Sequence, residues 1–115
     1  MKVIIAGGRN FEDYVGLCLA CDKALLHSKV SEVVSGAAHG ADKLGEKYAA
    51  ENGYFIRQFP ANWSKHGRGA GPVRNAQMAG YADMLIAFWD GVSSGTKNMI
   101  DTAKRAGLEV IVYHY

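Results

Sequence analysis

Asp83-Met84-Leu85-Ile86-Ala87-Phe88-Trp89-Asp90-Gly91-Val92-Ser93-Ser94-Gly95-Thr96 is the stretch that decides the fold. Met84 to Trp89 is an unbroken apolar run, the length of a strand buried on both faces. It gives way to Gly, Ser and Thr, after which Lys97-Asn98-Met99-Ile100-Asp101-Thr102-Ala103 starts a helical pattern. A buried strand that runs through such a loop into a helix leaves unpaired backbone N–H groups at a positive dipole end. That end suits an anion, most often a phosphate. The plainer reading is a βα turn capped by Ser94 or Thr96.

Two further loops of the same kind favour the anion. Val3-Ile4-Ile5-Ala6 reads as a strand closed by Gly7-Gly8-Arg9-Asn10, with Asn10 and Asp13 spaced to cap a helix to about Ser28. Glu32-Val33-Val34-Ser35 reads as a second strand, ending in Gly36-Ala37-Ala38-His39-Gly40. The next helix spans Ala41 to about Glu51, with Ala41, Leu44, Tyr48 and Ala49 inward and Asp42, Lys43, Glu46 and Lys47 toward water. Asn52-Gly53 ends it. Tyr54 to Phe59 is a third strand stopped by Pro60. Ala61 to Gly71 reads as the longest irregular segment, and Pro72 suits the first turn of a helix to about Ala82. The helix after the deciding strand runs to Ala106, Gly107 ends it, and Glu109 to Tyr113 is a fifth strand.

Strict β-α alternation over 1–115 implies one α/β domain, a Rossmann-like three-layer sandwich around a five-stranded parallel sheet. Right-handed crossovers favour the order 3-2-1-4-5. In that order the strands followed by the three glycine-bearing loops are neighbours. Their loops then meet beyond the C-terminal strand ends, where such sheets bind ligands.

Bulk properties narrow the function. A chain of 115 residues supports one core. No apolar run approaches the ~20 residues of a membrane span, and the apolar start is too short for a signal peptide, so a cytoplasmic protein is expected. The formal charge of +2 does not by itself imply a polyanion partner. Cys18 and Cys21 form a C-x-x-C inside a helical pattern, with no second pair for zinc, and read as packing residues. No metal site and no resident cofactor is expected. Gly7-Gly8-Arg9 is not G-x-G-x-x-G, strand two ends in Ser35 instead of an acid, and Lys97 follows Thr96 where a P-loop lysine would precede it. Serine in a nucleophile elbow is absent.

Ser35-Gly36-Ala37-Ala38-His39-Gly40-Ala41-Asp42 resembles the S-G-x-x-x-G-x-D segment of the DNA-processing protein A family. Arg74-Asn75-Ala76-Gln77-Met78 and Ala82-Asp83-Met84-Leu85-Ile86-Ala87 resemble the R-K-x-x-M and A-D-x-x-I-A segments of the lonely-guy phosphoribohydrolases. Both families belong to the SLOG superfamily of Rossmann-like nucleotide binders, and the whole chain is similar to its small YpsA-related branch. The resemblance implies that Arg74 faces the ribose-phosphate end of a ligand, that Gly95-Thr96 wraps a phosphate, and that Gly36, Gly40 and Asp42 shape the facing wall. The hydrolases read P-G-G-x-G-T-x-x-E. Here Met99 stands at that Glu, Val92-Ser93 replaces the paired glycines, and Asn75 replaces the Lys. Asp101, two residues on, lies about 200° further around an ideal helix. Glycosidic cleavage needs an oxocarbenium stabilised and water activated, and a thioether does neither.

Candidate ligand residues are therefore Gly7, Gly8, Arg9, Ser35, Gly36, His39, Gly40, Asp42, Arg74, Asn75, Asp90, Ser93, Ser94, Gly95 and Thr96. Arg9 reads as a phosphate clamp or a surface ion-pair partner, and His39 as a ligand contact or a helix cap. Asp42 reads as a ribose partner or a first-turn acid; Asp90 and Ser93 read as rim or turn residues. Trp63, Lys65, His66 and Arg68 read as a lid with an aromatic face, or as a surface loop with one anchor. The favoured function is binding of a nucleotide or ADP-ribose-like molecule by a sensor or sequestering protein that is not an enzyme; a phage-type sponge for a cyclic nucleotide signal fits the same reading. The alternatives are an N-glycosidase using Asp42 or Asp90, and a single-stranded nucleic-acid binder with a Lys65, Arg68, Arg74 stripe. Self-association is expected, most simply as a C2 homodimer.

Overall fold

The computed structural model describes all 115 residues. The strands are β1 (Lys2–Gly7), β2 (Glu32–Ser35), β3 (Phe55–Gln58), β4 (Met84–Trp89) and β5 (Glu109–His114). They form one parallel sheet in the order β3-β2-β1-β4-β5. The helices are α1 (Tyr14–Ala24), α2 (Ala41–Asn52), α3 (Trp63–His66), α4 (Ala70–Tyr81) and α5 (Ser94–Arg105). None is long and apolar enough to cross a membrane. The α/β class, the parallel sheet and the strand order agree with the sequence reading.

Period-two alternation along the central strands sorts the core onto two faces. Val3, Ile5, Met84, Ile86 and Phe88 pack with Leu17 and Cys21 of α1 and with Tyr48 and Ala49 of α2. Ile4, Ala6, Leu85 and Ala87 pack with Met78 and Ala79 of α4 and with Met99, Ile100 and Ala103 of α5. Both faces of β1 and β4 are thus covered, which explains why their sequence is continuously apolar rather than alternating. The C-x-x-C cysteines are free thiols, Cys21 buried and Cys18 half-buried. Burial pushes the Cys21 thiol up to about 12, so it packs as a neutral hydrophobe.

Several local expectations are corrected. Asp13, not Asn10, caps α1, its carboxylate accepting from the Gly16 N–H at 2.9 Å. Asn10 instead accepts from the Tyr115 hydroxyl at 2.8 Å, and α1 ends at Ala24 rather than Ser28. Asp42 does not face water: it is 5% exposed. The segment 61–71 is not irregular, because Asn62 caps the short α3 through the Lys65 N–H. A 3-10 turn at Gly67–Gly69 then leads into α4. Polarity and glycine content hid that helix, since four residues give no readable period.

Gly45 shows how tightly α2 lies on the sheet: a Cβ there would meet Ile5 Cβ and Cγ2 at 2.8 Å. Gly45→Ala is therefore expected to destabilise the fold by about 1 kcal/mol, overpacking outweighing the helix-propensity gain. Gly80 near the end of α4 has nothing within 4 Å of an added Cβ, so Gly80→Ala should stabilise by about 0.5 kcal/mol. Urea unfolding of both variants checks the contrast; equal effects would show that α2 and β1 are not in this close packing.

Candidate functional site

A crevice of about 670 Å³ opens beyond the C-terminal ends of β1, β2 and β4, within the range of small-molecule sites. Each loop reaches it for a local reason. The Gly8 N–H donates to Phe88 O at 3.1 Å, and Gly8 O accepts from Ala41 N–H at 3.2 Å. A Cβ on Gly7 would stand 2.3 Å from Phe88 O, so only a bare backbone passes between the β4 end and α2. Gly40 has φ +76°, a left-handed conformation that favours glycine, and it carries the chain from the β2 loop under Gly8 and Arg9.

The β4 loop is held from both ends. Asp90 Oδ1 accepts from the N–H groups of Val92 (2.9 Å) and Ser93 (2.8 Å). The Trp89 indole donates to Ser93 O at 3.0 Å. The bonds from Ser93 and Val92 hold the Asp90 carboxyl below the usual carboxylate range. Ser93, rather than Ser94 or Thr96, occupies the cap position of α5, and it makes no side-chain capping bond. The first bond of the helix runs from Lys97 N–H to Ser93 O. The N–H groups of Ser94, Gly95 and Thr96 are left without intrahelical partners at the crevice wall.

Arg74 joins the loops. Its Nη1 donates to Gly36 O at 2.5 Å and its Nε to Asn75 Oδ1 at 3.0 Å. Asn75 Nδ2 in turn donates to Asn98 Oδ1 (3.0 Å) and Gly95 O (3.4 Å). One chain of hydrogen bonds therefore ties the β2 loop, α4 and the first turn of α5. A Cβ on Gly36 would lie 2.4 Å from Arg74 Nη1 and 2.7 Å from Asp42 Oδ2, so these two side chains close on one bare backbone position. Burial lowers the Arg74 pKa, against the nearby Asp42 charge. Burial likewise pushes the Asp42 carboxyl up to about 6, outweighing the Ala38 N–H and the Arg74 charge. The ion pairs of the structure are Lys43–Glu46 and Lys97–Asp101; the crevice arginines Arg9, Arg68 and Arg74 belong to neither.

Of the residues singled out by sequence, Gly7, Gly8, Arg9, Asp42, Arg74, Asn75, Asp90, Ser93, Ser94, Gly95 and Thr96 line this crevice. Ser35 does not. It is fully buried, donating to Glu46 at 2.6 Å and accepting from Ala37 N–H at 3.0 Å. Gly36 and His39 line a smaller adjoining hollow, and Gly40 lines neither. Trp63 and Arg68 of the expected lid reach the crevice while Lys65 and His66 do not. Asn98, Asn10 and Met78 also line it. For Asn98 the available signal was its place one turn after Ser94. Met99 lines the wall too, 2% exposed, so no carboxylate occupies that part of the first turns of α5. No cluster of three or more His, Cys, Asp or Glu side chains is placed to hold a metal ion.

The model of the YspA, cpYpsA-related SLOG family matches residues 1–66, which carry β1, α1, β2, α2, β3 and α3 with the loops after β1 and β2. The chain belongs to this SLOG family. It is also 35% identical over 118 aligned positions to the Gene 61 protein of Mycobacterium phage D29, covering 96% of this chain and 94% of that protein. The phage relative extends the likeness through α4, β4 and α5, the half of the SLOG domain that supplies Arg74, Asn75 and the α5 turn.

Asp42 sets a pH dependence. Its pKa rises from 3.8 to about 6 on folding, so the folded state holds a proton that the unfolded chain releases. Stability is then highest below about pH 4 and falls as pH rises to about 6, by at most about 3 kcal/mol from this group. Asp42→Asn keeps an acceptor for the Ala38 N–H and removes the charge. Urea unfolding from pH 4 to 6.5 should show the variant gaining on the wild type as pH rises. A constant difference across that window would mean that Asp42 titrates normally.

Proposed function

We propose that this SLOG protein binds a nucleotide or ADP-ribose-like molecule in the crevice and acts as a sensor or sequestering protein. The observation that carries this reading is the meeting of Arg9, Arg68 and Arg74, none of them in a salt bridge, with the uncapped first turn of α5 in one hollow. Guanidiniums bind phosphate bidentately, and helix N-terminal N–H groups bind it through oriented dipoles. The half-exposed ring of Trp63 at the crevice offers a face for a base or sugar. Met99 in place of a carboxylate favours binding over cleavage, since no group there activates water.

In a thermal-shift panel of AMP, ADP and ADP-ribose, the ligand that binds should stabilise the protein by about 2.7 kcal/mol at a hundredfold excess over its Kd. Arg74→Met should weaken that ligand tenfold to a hundredfold, a charge-assisted hydrogen bond contributing about 1.5–3 kcal/mol. Stabilisation by none of the three, or binding indifferent to Arg74→Met, would sink the proposal.

One observation favours a second reading, N-glycosidic hydrolysis. Asp42 is a crevice carboxyl whose pKa of about 6 suits a general base near neutral pH. Incubation with AMP followed by chromatography separates the readings. Free adenine that disappears with Asp42→Asn establishes hydrolysis; intact AMP leaves binding alone.

A further inference from the structure

α1 is apolar on both of its sides. Leu17, Cys21 and Leu25 point into the core, as a helix packed on a sheet requires. Val15 and Leu19, one turn apart on the far side, are 70% and 67% exposed. Leu26, in the turn after the helix, continues their stripe seven residues on and is 72% exposed. At 1.5 Å per residue the stripe is about 16 Å long. A singly exposed aliphatic is ordinary on a protein surface, but an aligned row on an already buried helix marks a second contact face. α2 does not cover it. The bonds between the two helices, from Tyr14 to Glu51 and from Tyr48 to Asp22, run beside the stripe.

Charge at the two ends of α1 selects the occupant. Glu12 directly precedes the helix and Lys23 lies in its last turn. Both are exposed and neither is in an ion pair. We propose that this face is a homodimer interface, on which a second copy of the chain lays its own α1 antiparallel about a two-fold axis at Leu19. Leu19 then meets its own copy, Val15 packs on the aliphatic stem of the partner's Lys23, and Glu12 comes within reach of that ammonium. Symmetry repeats each contact, so both ends of the helix pair are neutralised and the two helix dipoles oppose. A parallel pair would set Glu12 against Glu12 and Lys23 against Lys23. This face lies outside the crevice, and its pairing does not depend on what binds there.

Sedimentation velocity of the full chain tests the interface. The wild type should dimerise, and Leu19→Glu, which sets two carboxylates together at the axis, should weaken dimerisation at least about tenfold. Leu19 is exposed, so the circular dichroism of the variant should match the wild type. Glu12→Lys and Lys23→Glu should each weaken self-association, since either alone makes both ends of the pair alike in charge. An equimolar mixture of these two variants should dimerise again, because every lysine then faces a glutamate. Should Leu19→Glu misfold, the mixture decides alone. A wild type still monomeric at about 1 mM, the weak end of the affinity scale, overturns the proposal. So does a wild-type dimer indifferent to a folded Leu19→Glu, or a mixture no more dimeric than its separate components.

Discussion

The pairing of β1 with β4 is the constraint on which the site depends. Strands far apart in the chain run parallel with Val3 opposite Met84 and Gly7 opposite Phe88. That register places both C-terminal ends at the same level. Because β2 pairs on the other side of β1, the chain reverses its direction of winding there, and helices leave toward opposite faces of the sheet. The result is a gap between α2 and α5 that no side chain of the sheet can fill, the switch point of an open α/β sheet. Hydrophobic burial of β1 and β4 on both faces fixes the register, since a slip of one residue would exchange the two core faces.

What fills the gap is polar and mutually bonded. Gly36 O, Arg74, Asn75, Asn98 and Gly95 O form a continuous hydrogen-bonded series across elements that share no backbone ladder. Packing sets the elements roughly; this series sets the loops relative to one another. Arg74 is central because a guanidinium has five donors. Two of them are spent on Gly36 and Asn75, which leaves others to face an anion. Lysine could not bridge two fixed acceptors and still present a planar fork.

The sheet was legible because its central strands β1 and β4 are buried on both faces and write continuous apolar runs, and because Gly53 and Gly107 mark the ends of α2 and α5. The loops around Gly7, Gly8 and Arg9 and around Ser93 to Thr96 were legible for the same reason, as breaks in strong patterns. The environment of Asp42 was not. Its position on α2 fits the polar side of a helical wheel, but the β1 loop folds over that turn through Ala41 N–H and Gly8 O and closes the solvent off, a tertiary effect with no local pattern. Ser35 misled in the opposite sense. A hydroxyl at the head of a glycine-rich loop resembles a ligand contact, yet it donates to the Glu46 carboxylate one helical turn beyond Asp42 and is turned inward. Trp63 of α3 and Arg68 of the 3-10 turn after it both line the crevice, although neither helical turn was legible.

The electrostatics of Asp42 argue that this corner is not built for stability alone. A carboxyl only 5% exposed, with its pKa raised to about 6, is a net cost to the folded state near neutral pH. A surface pair such as Lys97–Asp101 carries no such penalty, and an asparagine at 42 would satisfy the Ala38 N–H without it. Proteins tolerate violations of this kind chiefly where function needs them. The position of the charge gives the reason a physical form. Beside Gly36 and Arg74, Asp42 opposes a purely anionic ligand filling the whole crevice and instead favours a donor at that wall, such as a sugar hydroxyl, with the phosphate displaced toward Arg9 and the first turn of α5. A site that only gathered positive charge would bind any polyanion; on the proposed nucleotide reading, a buried carboxylate at Asp42 among the three arginines would favour an anion that also carries hydroxyls.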